Sequence, residues 1–127
     1  MQTLLLVAGV IAAVTGLIHS VLGEILIFRH VRGGGLVPSV GAPPLRERNI
    51  RIIWATWHLG SVFGWAFAGV LFRLAIGHPS PTSLIMSAIV FAYLGGAILV
   101  LIGTKGRHPG WIALSAVAAL TWFASAA

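Results

Sequence analysis

Apolar positions along this chain gather into four long runs, roughly residues 3–28, 50–76, 83–103 and 109–126, broken by stretches rich in glycine, proline and arginine. An α-helix needs about 20 such residues to cross a bilayer, and each run meets or approaches that length. The last is the shortest and is rich in alanine, which predicts tight packing or a thin region of membrane. Strands of a β-barrel are shorter and alternate polar with apolar side chains, which these runs do not. The pattern therefore predicts an all-α fold: a four-helix transmembrane bundle, with residues 1–127 forming a single integral membrane domain.

The breaks set the connectivity. RHVRGGGLVPSVGAPPLRER joins the first two runs, and its triple glycine and paired prolines prevent a continuous helix. The second run is expected to begin just after Pro44, with 45–50 forming an interfacial turn. GHPSPT and TKGRHPG are short, so neighbouring helices are expected to be antiparallel and the bundle to run up-down-up-down.

Composition agrees with a lipid solvent. The chain is 58% hydrophobic and 8% charged, with a mean hydropathy of +1.01, whereas soluble domains carry roughly 25% charged residues. Eight Lys and Arg stand against two acids. Arg29, Arg32, Arg46, Arg48, Arg51, Lys105 and Arg107 lie in or beside the first and third breaks, and only Arg73 lies by the second. The positive-inside rule then puts the first and third loops in the cytoplasm and both termini outside it. In this setting a positive balance points to orientation and contact with anionic lipid rather than to nucleic acid. MQTLLLVAGV lacks a basic leader and a cleavage site follows nowhere near it, so a retained first span is expected. With no cysteine, disulfides, iron–sulfur clusters and thiolate chemistry are excluded. With no aspartate, there is no Ser–His–Asp triad, and RGGG lacks the strand and the GK[ST] ending of a P-loop.

The first run carries an unusual interruption, GLIHSVLGE. At about 100° per residue, Gly9, Gly16 and Gly23 fall on one line bordered by Ala12 and Ser20. Such a small-residue seam lets another helix approach closely. His19 projects to one side of it and Glu24 to the other. In the second run, RIIWATWHLGSVFGW places Arg51, Trp54, His58, Ser61 and Trp65 on one face, with Gly60 and Gly64 nearly opposite and open to a different packing neighbour. Polar groups on that face go unsatisfied in lipid, so the two faces are expected to meet. Pairing Glu24 with Arg51 brings His19 and His58 to similar depth.

The candidate polar cluster is thus His19, Ser20, Glu24, Arg51, Trp54, His58 and Ser61. The first reading of its role is structural: an ion pair and interhelical hydrogen bonds in a membrane protein that acts by helix association, as an accessory subunit or homo-oligomer rather than as an enzyme. The second reading makes His19 and His58 axial ligands of haem b, or joins them with Glu24 around a transition metal. A third is movement of protons, ions or a small solute past His58, His19 and Glu24. No catalytic set is assigned. His30, His78 and His108 fall in loops, and Trp111 and Trp122 fit interfacial anchors. The expected partners are the lipid bilayer, and either a second copy of the chain or a larger membrane complex.

HSVLGE followed by RIIWATWH resembles the pattern of small, uncharacterised bacterial four-span inner-membrane proteins, in which HSxLGE on the first helix precedes basic residues and a WH pair on the second. The matching positions are His19, Ser20, Gly23, Glu24, Arg51, Trp57 and His58, spanning about the first half of the chain. The resemblance implies a multi-pass location in a bacterial inner membrane and no particular activity.

Overall fold

The computed structural model describes residues 1–77 and 80–126. These form four helices, α1 (Gln2–Leu26), α2 (Glu47–Ile76), α3 (Pro81–Thr104) and α4 (Gly110–Ala126), and a 3-10 turn at Phe28–Val31. Among the described residues there is no strand, only an isolated bridge between Ala42 and Leu45. His78 and Pro79 lie outside the described residues.

Local chemistry accounts for the boundaries. The α1 ladder fails at Ile27, whose φ and ψ are −120° and −64°, and the chain tightens into the 3-10 turn before the triple glycine, where Gly34 takes φ +87°. α2 begins at Glu47, within the 45–50 segment that follows the paired prolines, where Asn49 Oδ1 accepts the Arg46 N–H at 3.2 Å and caps the first turn. Pro81 opens α3, where its missing N–H costs nothing. α3 closes with Lys105 at φ 53° and Gly106 at φ 72°. The Gly106 N–H reaches back to the Leu101 carbonyl at 2.9 Å, a left-handed C-terminal cap.

α1, α2 and α3 are long and apolar enough to cross a membrane. α4, at 17 residues, is shorter. The extensive contacts join α1 to α2, α2 to α3 and α3 to α4, while α1 and α4 share no comparable interface. The helices therefore stand as a row rather than closing on themselves.

Glycine fixes two of these contacts. On α1, the position a Cβ would occupy lies 2.7 Å from the Phe72 ring at Gly9 and 2.8 Å from Trp65 Nε1 at Gly16, and falls on the Trp57 indole at Gly23. Partner numbers fall along α2 as they rise along α1. The seam is a set of notches that receive aromatic rings. Gly95 and Gly96 of α3 receive Val62 and Leu59 in the same way, and Gly103 lies against Ala55. Gly60 and Gly64 differ: a Cβ at Gly60 would meet only His19 at 3.7 Å, and one at Gly64 would meet nothing within 4 Å. Gly60 thus touches α1 through the His19 ring alone, and Gly64 is open among the described residues.

The densest burial lies where the first loop folds back on the helices. Phe28, Val37, Trp54, Ala55 and Val100 form the core there, flanked by Trp57, Trp111 and Leu114. Val31 holds the loop in place, its carbonyl accepting the N–H groups of both Ser39 and Val40.

Candidate functional site: a polar cluster between α1 and α2

The seven candidate residues do not all converge. Glu24, Trp54, His58, Ser20 and Ser61 form one hydrogen-bonded group between α1 and α2. Glu24 Oε1 accepts from Trp54 Nε1–H at 2.6 Å and lies 3.0 Å from His58 Nε2. Its Oε2 accepts from Arg32. The other ring nitrogen of His58, Nδ1, is 2.8 Å from Ser20 Oγ, and Ser20 donates to Ser61 Oγ at 2.8 Å. A carboxylate with three donors has its charge spread over charge-assisted bonds, which is how an ionised group becomes tolerable beside hydrocarbon. Its acceptor role makes His58 Nε2 a donor. Ser20 has one hydroxyl proton: while it goes to Ser61, His58 Nδ1 donates to Ser20 as a charged ring does, and in a neutral ring Ser20 gives that proton to Nδ1 and accepts from Ser61 instead.

Aromatic rings wall this group. Trp54 meets His58 edge-on with centroids 4.9 Å apart, and Phe28 stands 6.0 Å away. The His58 side chain is 12% exposed, against 32% for Glu24, so the carboxylate is the more exposed end.

His19 takes a different place. Its ring stacks on Trp57 at 4.4 Å and 7°, on the flank of α1 away from Glu24. Trp57 fills the Gly23 notch and donates Nε1–H to the His19 carbonyl at 3.0 Å. Trp65 does the same in the Gly16 notch, donating to the Ala13 carbonyl at 3.1 Å. A glycine leaves those backbone oxygens open to a side-chain donor, so each indole both fills a gap and satisfies its own N–H.

Two expectations change as a result. Glu24 does not pair with Arg51; it meets Trp54 and His58, three and seven residues further along α2, and takes Arg32 as its cation. Arg51 turns toward α3, donating Nε–H to the Gly103 carbonyl at 2.6 Å and Nη1–H to Glu47 at 3.5 Å. The register follows from indoles seating in glycine notches, and Arg32 reaches Glu24 because the 3-10 turn reverses the chain. The histidines also do not converge on a shared ligand position. Both nitrogens of His58 are engaged by Ser20 and Glu24, with Trp57 in the seam beside His19. Among the described residues, no group of three His, Asp or Glu side chains is arranged to hold a metal ion. A bis-histidine haem site, or a metal held by His19, His58 and Glu24, requires those bonds to break first.

Arg32 and Trp57 belong to the site and were missed as members of the cluster. A signal for Trp57 exists: Trp57, Trp65 and Phe72 repeat at intervals of eight and seven, close to the two intervals of seven between Gly9, Gly16 and Gly23. No comparable pattern marks Arg32, whose place depends on the loop. Its Nε is buried and has no hydrogen-bond partner among the described residues. Compared with protein-family models, curated proteins and solved structures, the chain matches none of them.

Proposed function

We propose that this chain is a four-span protein of a bacterial inner membrane, up-down-up-down with both termini outside the cytoplasm, which works by helix association as an accessory subunit or homo-oligomer. In support, three helices have spanning length, and seven of the eight basic residues lie at the loop ends expected to be cytoplasmic. Orientation and span number rest on those features and on α4 crossing with the others.

The observation that carries the association reading is the α2 face bearing Gly60 and Gly64. It is a small-residue surface open at Gly64 and met at Gly60 by the His19 side chain alone among the described residues, on a row of helices that does not close. Close backbone approach at such residues is the usual basis of association in lipid. The α1 seam is already filled by Trp57, Trp65 and Phe72, so Gly16 is not available for that purpose. The polar cluster then reads as the lock that fixes α1 on α2. Conduction is less well supported, because the hydrogen-bonded chain from Arg32 stops at Ser61; the seam beyond continues with Trp65 against Gly16 and Phe72 against Gly9.

Cross-linking in native membranes tests this reading. A discrete dimer or heavier band is expected, lost in Gly60→Leu/Gly64→Leu while thermal stability holds. Monomer alone under every linker, or full cross-linking by the double variant, overturns it.

A further inference from the structure

A second polar region lies apart from the Glu24–His58 cluster. The first turns of α2 and the α3–α4 loop enclose a cleft of about 620 Å³ lined by Glu47, Arg48, Arg51, Lys105, Arg107 and His108, within the roughly 300–1,000 Å³ typical of small-ligand sites. Four cationic side chains face one carboxylate. Arg48, Lys105 and Arg107 are exposed and make no ion pair among the described residues.

Arg51 makes this more than a basic surface. It is buried, at 8% exposure, and its guanidinium is held at two atoms, Nε by Gly103 and Nη1 by Glu47. Nη2 lacks a hydrogen-bond partner among the described residues although Arg51 lines the cleft. A largely buried guanidinium, held at two atoms and with its remaining donor open to the cleft, suits a phosphate oxygen, since little conformational entropy is lost on binding. α2 and α4 both begin at this end, adding the positive ends of their dipoles. The opposing negative end of α3 is blunted: Arg51 takes the Gly103 carbonyl, and the cap takes those of Leu101 and Ile102.

We propose that this cleft binds the phosphate of an anionic phospholipid headgroup, with Arg51 as its fixed floor and Arg48, Lys105 and Arg107 as its rim. The inference rests on the membrane placement proposed above, which puts the cleft at the cytoplasmic headgroup level, and not on self-association.

The test uses the full chain reconstituted into phosphatidylcholine vesicles, with and without phosphatidylglycerol. Competition by inorganic phosphate and retention of spin-labelled phosphatidylglycerol over labelled phosphatidylcholine are measured. Wild type is expected to prefer the anionic lipid, and phosphate alone to compete poorly. Each rim cation removed should lower the preference about five-fold, so Arg48→Gln/Arg107→Gln should nearly abolish it. Arg29→Gln/Arg73→Gln, with the same change in charge elsewhere, should retain it. Equal preference in the two double variants overturns the site, as does the absence of preference in wild type. Full displacement by millimolar phosphate assigns the cleft to a free anion and overturns the lipid assignment. Failure to insert into either vesicle sinks the membrane placement and the headgroup site with it, an outcome distinct from insertion without preference.

Discussion

The α1–α2 and α3–α4 interfaces solve the same problem in different ways. Both join apolar helices through glycine-bearing faces, yet α1–α2 is tied by directional bonds: two indole N–H groups to α1 carbonyls, and Glu24, Ser20, His58, Ser61 and Trp54 in one network. Between α3 and α4 the side-chain tie among the described residues sits at the turn, where Trp111 Nε1–H donates to the Gly106 carbonyl of the α3 cap at 3.1 Å, and none crosses between the helix bodies. Contact there is by shape, as where Leu114 approaches Gly96. In the membrane setting proposed above, apolar surface is no better buried against protein than against acyl chains, so packing and hydrogen bonds must set the register. α1 meets one large neighbour among the described residues, and it is the helix that carries most of the bonds. α3, held on both sides by α2 and α4, relies on close fit along its length, with the Arg51–Gly103 bond at its C-terminal end.

The largest expected effect comes from blocking a notch. Gly23→Leu collides with the Trp57 indole and should lower stability by about 3 kcal/mol or more through overpacking and a lost N–H bond, seen as a fall in Tm in detergent. A normal Tm means that α1 does not seat its glycines on α2. Next, Glu24→Gln removes the carboxylate charge from Arg32 and His58 and should cost about 2 kcal/mol, between the values for buried and surface pairs. An equal loss for Glu47→Gln, whose carboxylate is exposed, removes the distinction drawn for Glu24. Trp57→Phe keeps a ring in the notch but loses the bond to the His19 carbonyl, for about 1 kcal/mol; denaturant titration against Trp57→Leu separates ring from bond. The smallest effect is expected at Ser115 of α4, where Ser115→Ala should stay within about 0.5 kcal/mol. A larger drop reveals a polar tie at α3–α4 and undoes the contrast.

Much of the site was legible at the level of single helix faces. The polar stripe on α2 and the seam on α1 follow from helical period alone, and Ser20, Glu24, Trp54, His58 and Ser61 come together as those faces meet. The partner of Glu24 was not legible. Arg51 is the nearest cation on the facing helix, but it leans toward α3, and Arg32 arrives only through the turn at Phe28–Val31. Nor did the period show that His19 stacks on Trp57 instead of facing His58, because a one-turn change of register reassigns every cross-helix neighbour.

The sequence by itself determined that this is an all-helical chain with long apolar helices, where they break, and which faces are polar, since helix length, proline, glycine and periodicity act locally. Only the tertiary structure decided which polar groups meet, that Gly9, Gly16 and Gly23 receive indole and phenyl rings, and that Arg51 floors a basic cleft with Lys105 and Arg107. Those outcomes depend on rotation and sliding between helices, which are settled by side-chain shape and a few hydrogen bonds that local pattern does not encode.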